Sequence, residues 1–284
     1  KGKCYWLKVY EIPEGAKNSK GRAIQNMLNI DADDKVNAFI RVKQLQDPEY
    51  NMSHNLLFCT RKGVIKKTKL EAYSRPRQNG VNAITIREDD QVIQVRLTTG
   101  DSQIIMANKH GRAIRFHEST VREMGRTATG VRGMTLDETG DDEVIGMICI
   151  KDPEKETVMV VSEQGYGKRS EIEDYRITNR GGKGVKTLNI TEKTGNLVAI
   201  KSVTDENDLV IINKSGITLR MKVADVRIMG RATQGVRLIN LEKRNDEIAS
   251  VCKVLSETES DSSNSENIDS ASEINEAEAS ETTE

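Results

Sequence analysis

"NRGGKGVKTLNI", residues 179–190, sets an arginine, two glycines, a lysine and a third glycine ahead of a run that alternates polar and apolar side chains. A glycine-rich loop beside a lysine has the outline of a phosphate cradle. A P-loop, however, needs G-x-x-x-x-G-K-[ST] between a strand and a helix, and this stretch meets neither condition. It is instead one copy of a pattern that recurs through the chain. Aligned on glycine, the copies are "KGKCYWLKVYEIPEGAKNSKGRA" from residue 1, "KGVIKKTKLEAYSRPRQNGVNAITI" from 62 and "HGRAIRFHESTVREMGRTATGVRGMTL" from 110. "QGYGKRSEIEDYRITNRGGKGVKTLNI" follows from 164 and "SGITLRMKVADVRIMGRATQGVRLINL" from 215. The first glycine of each unit is Gly2, Gly63, Gly111, Gly165 or Gly216, and the second is Gly21, Gly80, Gly130, Gly184 or Gly235. A repeat of about 50 residues fixes the architecture before any other feature is weighed.

Each unit reads as strands. Short β-rich runs ("NLLFCT", "QIIMAN", "TVMVVS", "DLVIIN") end at the first glycine, and a second strand such as "RAIRF" or "ITLRM" leaves it. That is a hairpin whose turn needs positive φ, so the glycines are read as turn residues without a chemical role. After the second glycine, Val81/Ile84/Ile86, Val131/Met134/Leu136, Val185/Leu188/Ile190 and Val236/Ile239/Leu241 give a third strand with one face inward. "KVNAFIRV", "QVIQVRL", "EVIGMICI", "NLVAIKSV" and "EIASVCKV" supply a fourth. The expected fold is all-β: a propeller-like pinwheel of about six four-stranded blades, five of them visible and the first incomplete.

The 284 residues are long enough for a large core, yet apolar residues make up only 36% and mean hydropathy is −0.57. The deficit is local. Residues 256–284 hold ten acidic and no basic side chains, so 255–284 is expected to be a disordered acidic tail. The remaining domain, 1–254, carries 43 basic and 34 acidic residues, a net charge of +9. No run of apolar residues suits a membrane span and no signal peptide opens the chain, which points to the cytoplasm. Cys4, Cys59, Cys149 and Cys252 form no CxxC pair, and the last three lie in apolar stretches as expected of buried thiols. Three histidines without clustered ligands point away from a metal site, and no constellation of carboxylates or histidines suggests catalysis.

The charge follows the repeat. Segments 1–22, 61–80, 109–132, 165–186 and 214–237 contain 31 of the 43 Lys and Arg but nine Asp and Glu. Stacked blades would align these segments into a curved positive track, an electrostatic footprint for a polyanion. The candidate phosphate contacts are Lys17, Lys20 and Arg22; Lys66, Lys67, Arg75 and Arg77; Arg112, Arg115, Arg122 and Arg126; Lys168, Arg169, Arg180 and Lys183; and Arg220, Lys222, Arg227 and Arg231. Aromatics are only 4% of the chain and no recognition helix or zinc finger is present, so phosphate contact along a bent duplex is favoured over base reading.

The stretches "LKVYEIPEGAKNSKGRAIQNMLNI", "GVIKKTKL", "VREMGRTATGVRGMTL", "QGYGKRSEIEDY" and "IMGRATQGVRLI" resemble the C-terminal domain of the DNA gyrase A subunit over nearly all of residues 1–254. The resemblance implies a DNA-wrapping β-pinwheel within a bacterial type IIA topoisomerase of two A and two B subunits. ATP, Mg2+ and the catalytic tyrosine would all lie outside this chain, and none of its six tyrosines is a candidate. The family's hallmark box, Gln-Arg-Arg-Gly-Gly-Lys-Gly, is expected ahead of Lys1. Its nearest counterpart here is the loop Asn179, Arg180, Gly181, Gly182, Lys183, Gly184, with Arg180 and Lys183 as phosphate contacts. The C-terminal domain of the topoisomerase IV A subunit, a protein-interaction propeller and a propeller enzyme are the alternatives.

Overall fold

The computed structural model describes residues 1–16, 19–31, 33–138, 140–241 and 246–256. Lys17, and the expected tail from residue 257 onward, lie outside the described residues. In chain order the strands are β1 (Lys3–Cys4), β2 (Asn55–Thr60), β3 (Val64–Lys69), β4 (Val81–Asn82), β5 (Val92–Thr98), β6 (Gln103–Asn108), β7 (Arg112–His117) and β8 (Val131–Arg132). They continue as β9 (Val144–Ile150), β10 (Thr157–Ser162), β11 (Tyr166–Glu171), β12 (Val185–Lys186), β13 (Leu197–Val203), β14 (Asn207–Asn213), β15 (Thr218–Lys222), β16 (Val236–Arg237) and β17 (Ile248–Leu255). Among the described residues one short α-helix, α1 (Pro48–Ser53), is capped by the Asp47 side chain, which accepts from Glu49 N.

The strands build four sheets of three or four strands, ordered β5-β2-β3-β8, β9-β6-β7-β12, β13-β10-β11-β16 and β17-β14-β15, plus the pair β1-β4. Within these sheets the strands pair antiparallel, and single parallel bridges join Lys67 to Glu123, Arg115 to Ile177 and Arg169 to Ile228. The described residues thus show four blades and a fragment, in keeping with five visible units of which the first is incomplete, and do not reach a count of six. In the three four-stranded sheets the fourth strand comes from the next repeat. Val131 and Arg132 pair with Ile65 and Val64, one repeat back, before the chain crosses to β9 in its own sheet. The run after the second glycine is therefore two residues of strand followed by a crossing segment. Of its expected inward residues, Val81, Ile84, Met134, Leu188 and Leu241 are buried, while Ile86, Val131, Leu136, Val185, Ile190, Val236 and Ile239 are half-buried.

Alternation along the inner strands feeds two cores at once. On β6, Ile104 and Met106 pack with Leu57, Ile65 and Phe116, while Ile105 and Ala107 pack with Val158, Val160 and Tyr175. On β10, Val158 and Val160 join that second core, while Met159 and Val161 turn to Leu209 and Ile211. Runs such as "TVMVVS" are apolar throughout because both faces are covered. Burying each such Val, Ile or Leu contributes about 1.5–3 kcal/mol. On β15, with no sheet beyond it among the described residues, exposed and half-buried residues alternate.

Two local expectations fail. Residues 35–42, "KVNAFIRV", form no strand. In every other unit this strand pairs with the one before the first glycine, a pairing that 35–42 does not make among the described residues. Ile40 and Val42 instead pack against the core around Leu56, Phe58 and Tyr73. Cys59 is buried, but Cys149 is only half-buried and Cys252 is exposed on β17 of the last sheet.

The glycines work at blade joints. Gly63 has φ 80°, and a Cβ there would sit 2.6 Å from Met134 O, because the Gly63 carbonyl accepts from both Gly133 N (2.8 Å) and Met134 N (3.2 Å) of the next repeat. Gly184, in the opening stretch, has φ 76°, and a Cβ there would collide with Ala113 O. Only a residue without Cβ fits.

Candidate nucleic-acid interface

One basic position recurs on the second strand of every hairpin: Lys67, Arg115, Arg169 and Arg220. The first three are buried. Arg115 donates to Ile172 O (2.7 Å) and Tyr175 O (2.9 Å), Arg169 to Val226 O (2.9 Å), and Lys67 to Glu118 O (3.2 Å). Each acceptor belongs to the short turn of the following repeat, so these cations fasten one blade to the next. Arg169 also pairs with Asp205, and Arg115 with Gln103. Arg220, on the last sheet, is exposed and pairs with Asp208 at 2.8 Å.

A second basic position is also turned inward. Lys66 Nζ donates to Ala83 O (2.6 Å) and Arg126 O (2.5 Å), and Lys168 Nζ to Gly230 O (2.6 Å). Both side chains are fully enclosed. Burial brings the Lys66 ammonium down to about 8, with Arg126 acting the same way. Burial likewise brings Lys168 to about 8, with Asp174 pulling up and Arg231 down. Lys66, Lys67, Arg115, Lys168 and Arg169 are thus committed to backbone carbonyls inside the protein. They were candidate phosphate contacts in the sequence, and the structure removes them from the accessible set.

What they hold is the outer loop of the next repeat. Those loops, 74–80, 122–130, 176–184 and 227–235, carry much of the exposed charge, with Lys20, Arg22, Arg220 and Lys222 lying outside them. Lys20, Arg22, Arg75, Arg77, Arg122, Lys183, Arg220, Lys222 and Arg227 are exposed, and Arg112, Arg126, Arg180 and Arg231 are half-buried. Three loops place arginines four apart: Arg122 and Arg126, Arg176 and Arg180, Arg227 and Arg231. The second arginine reaches back along the stack. Arg180 donates to Thr120 O (3.0 Å) and Arg132 O (2.9 Å), and Arg231 to Lys186 O (2.9 Å). Thr135 N to Gly182 O (3.0 Å) and Asn189 N to Thr233 O (3.1 Å) join successive loops to the neighbouring crossing segments. In the opening stretch, then, Arg180 is mainly a brace, and Lys183 is the outward charge.

Sequence reasoning passed over Arg176, which is exposed at the position of Arg122 and Arg227. It also passed over Arg132, Lys186 and Arg237, exposed on the donated strands β8, β12 and β16. The signal was present as Gly-Val followed by a basic residue in three units. Among the described residues the buried tyrosines are structural: Tyr73 donates to Ala83 O (3.1 Å), and Tyr175 bonds Thr187 Oγ1 (2.5 Å).

Strand-exchanged sheets in series, each presenting a basic outer loop, define a β-propeller-like module of the pinwheel type. The sequence matches the family described as "DNA gyrase C-terminal domain, beta-propeller" over residues 1–43, 54–99, 102–151, 156–204 and 207–252, and the chain belongs to that family. It is 44% identical over 266 residues to the DNA gyrase A subunit of Staphylococcus aureus (strain NCTC 8325 / PS 47), covering 94% of this chain and 29% of that protein. The corresponding protein from strain MRSA252 is 47% identical over 241 residues, 85% of this chain and 26% of the relative. The chain therefore spans less than a third of the curated relatives it matches. A crystal structure of the C-terminal domain of DNA topoisomerase IV superposes with TM-score 0.79 at 26% identity, covering 90% of this chain and 77% of that one. A DNA gyrase A C-terminal domain does so with TM-score 0.75 at 26% identity, covering 89% and 80%.

Proposed function

We propose that this chain grips duplex DNA by its phosphates and bends it along the stack of sheets, as the C-terminal part of the DNA gyrase A subunit. The observation that carries this reading is the recurrence of an exposed arginine loop at one place on successive sheets, held there by buried cations of the preceding blade. Phosphate contact is sequence-tolerant and salt-sensitive. Bending 20–30 bp by 40–90° costs about 1–6 kcal/mol, which several Lys/Arg–phosphate contacts offset. Among the described residues the one α-helix has six residues, too short to serve as a groove-reading element, and no helix is long and apolar enough to cross a membrane. On this reading the partners are DNA, the rest of the gyrase A protein and the gyrase B protein, in an assembly of two of each acting on cytoplasmic DNA. ATP and Mg2+ are bound elsewhere in that assembly, and the bent segment is presented for strand passage that introduces negative supercoils.

The high TM-score with a topoisomerase IV domain favours a second reading, in which the module selects substrates for decatenation without driving supercoiling. Plasmid supercoiling by the complete A and B subunits separates the two. The gyrase reading expects ATP-dependent negative supercoiling of relaxed plasmid, lost in the triple variant Arg122→Ala, Arg176→Ala, Arg227→Ala while ATP-independent relaxation persists. Decatenation without supercoiling by the unaltered enzyme would support the second reading instead.

A further inference from the structure

The turn between β6 and β7 gathers side chains that the sequence keeps 27 and 32 residues apart. His110 Nδ1 lies 3.2 Å from Asp137 Oδ2 and 3.9 Å from Asp142 Oδ1. One ligand atom from each of the three lies within 4.8 Å of the others. The Asp142 side chain is completely buried, and its Oδ1 has no hydrogen-bond partner. Its other oxygen is fixed in place, accepting from Asn108 Nδ2 (2.7 Å) and Asp137 N (3.0 Å). His110 Nδ1 is hydrogen-bonded to Asp137 Oδ2 and at 3.9 Å stands too far to serve Asp142 Oδ1, and a buried carboxylate oxygen left without a donor is costly unless something satisfies it.

The other repeats show how this turn is ordinarily satisfied. Asp90, at the place of Asp142, accepts with Oδ1 from Lys62 N (2.9 Å) and Gln91 N (2.8 Å). Asp246 uses both oxygens, from Ser215 Oγ (2.7 Å) and Glu247 N (2.8 Å). Where this blade has His110, the others have Lys62, Gln164 and Ser215, none of which brings a second ligand-type side chain to the buried carboxylate. The turn brace is common to several repeats; the spare oxygen, the imidazole and the second carboxylate belong to one.

We propose that His110 Nδ1, Asp137 and Asp142 form a binding site for a first-row divalent cation of the zinc type. Tetrahedral Zn2+ with bonds of about 2.0–2.1 Å holds its ligand atoms about 3.3 Å apart, a value that falls between the 3.2 and 3.9 Å found. The fourth position faces solvent, as His110 and Asp137 are partly exposed, and takes water. Asp141 Oδ1 stands 3.4 Å from His110 Nε2, where a carboxylate orients a ligating imidazole. An imidazole nitrogen and a small ligand set disfavour Ca2+ and Mg2+, which call for more oxygens. The ion would tie the crossing loop to the turn that carries Gly111, whose carbonyl accepts Thr187 N and Leu188 N of the next repeat. It would thus stiffen one blade joint, whether or not the chain binds DNA.

The test uses the whole chain stripped with a chelator and titrated with Zn2+ by calorimetry, and with Co2+ by absorption. The expected result is one ion per chain, a visible Co2+ band of tetrahedral type without a thiolate charge-transfer band, and a Tm raised by a few degrees at saturating ion. Asp142→Asn and His110→Gln, each checked for native circular dichroism without metal, should lose the site. Asp141→Asn should bind about 10–100-fold more weakly. The absence of saturable one-to-one binding, a thiolate band, or binding unchanged in both Asp142→Asn and His110→Gln would overturn the assignment.

Discussion

Arg115 donates from one blade to the Tyr175 carbonyl of the next across 2.9 Å, and both residues are enclosed by protein. The same guanidinium nitrogen also serves Ile172 O. Replacing it with Met should leave two carbonyls unpaired and cost about 2–4 kcal/mol of stability. Arg220, its exposed counterpart on the last sheet, should cost no more than about 1 kcal/mol when changed to Ala. Urea midpoints of Arg115→Met and Arg220→Ala check the contrast, and equal losses would mean that Arg115 does not hold the joint.

The outer-loop arginines should behave in the opposite way. Arg122→Ala, Arg176→Ala and Arg227→Ala remove exposed side chains, so each should alter stability by less than about 0.5 kcal/mol. Each should weaken duplex binding across unrelated sequences and reduce the salt slope by about 0.9 for every phosphate no longer neutralised. Fluorescence anisotropy at several salt concentrations reads both effects.

Much of this organisation was legible in the chain. The glycine register located the hairpins, and the apolar runs marked strands covered on both faces, as β10 is. The period could not tell which basic residues face solvent. Lys66 and Lys183 look alike in a charge count, yet one is clasped by Ala83 O and Arg126 O while the other is exposed. Nor could it reveal that Val131 and Arg132 pair one repeat back, because strand exchange leaves spacing and hydrophobic pattern unchanged. Residues 35–42 carry a strand pattern, but a strand also needs a partner edge.

The buried lysines make stability depend on alkaline pH. Lys66 and Lys168 titrate near 8 when folded, against 10.5 when unfolded. Between those values the unfolded chain holds more protons, so stability should rise as pH climbs from about 8 toward 10. Above about 10 the trend should reverse, because burial pushes the Tyr175 phenol up to about 12 while the unfolded phenol ionises near 10.0. Urea midpoints across this range are the measurement. Lys66→Met with Lys168→Met should flatten the rise, and a rise that persists in the double variant would assign it to other groups.

Glycine substitutions should grade with the space at each joint. Gly63 and Gly216 have similar φ, 80° and 85°, so a Cβ in the left-handed region costs about 1–2 kcal/mol at either position. Gly63→Ala must also separate the chain from Met134 O, whereas nothing lies within 4 Å of a Cβ at residue 216. Gly63→Ala should therefore be the more destabilising by thermal melting.

The most direct test of phosphate gripping by the outer loops is the affinity of the chain for two duplexes of equal length and unrelated sequence, measured as salt is raised. The expected result is one steep line for both, with log K falling against log salt by about 0.9 for each phosphate neutralised and a slope of several units. A flat salt response, or strong preference for one of the two sequences, would contradict it.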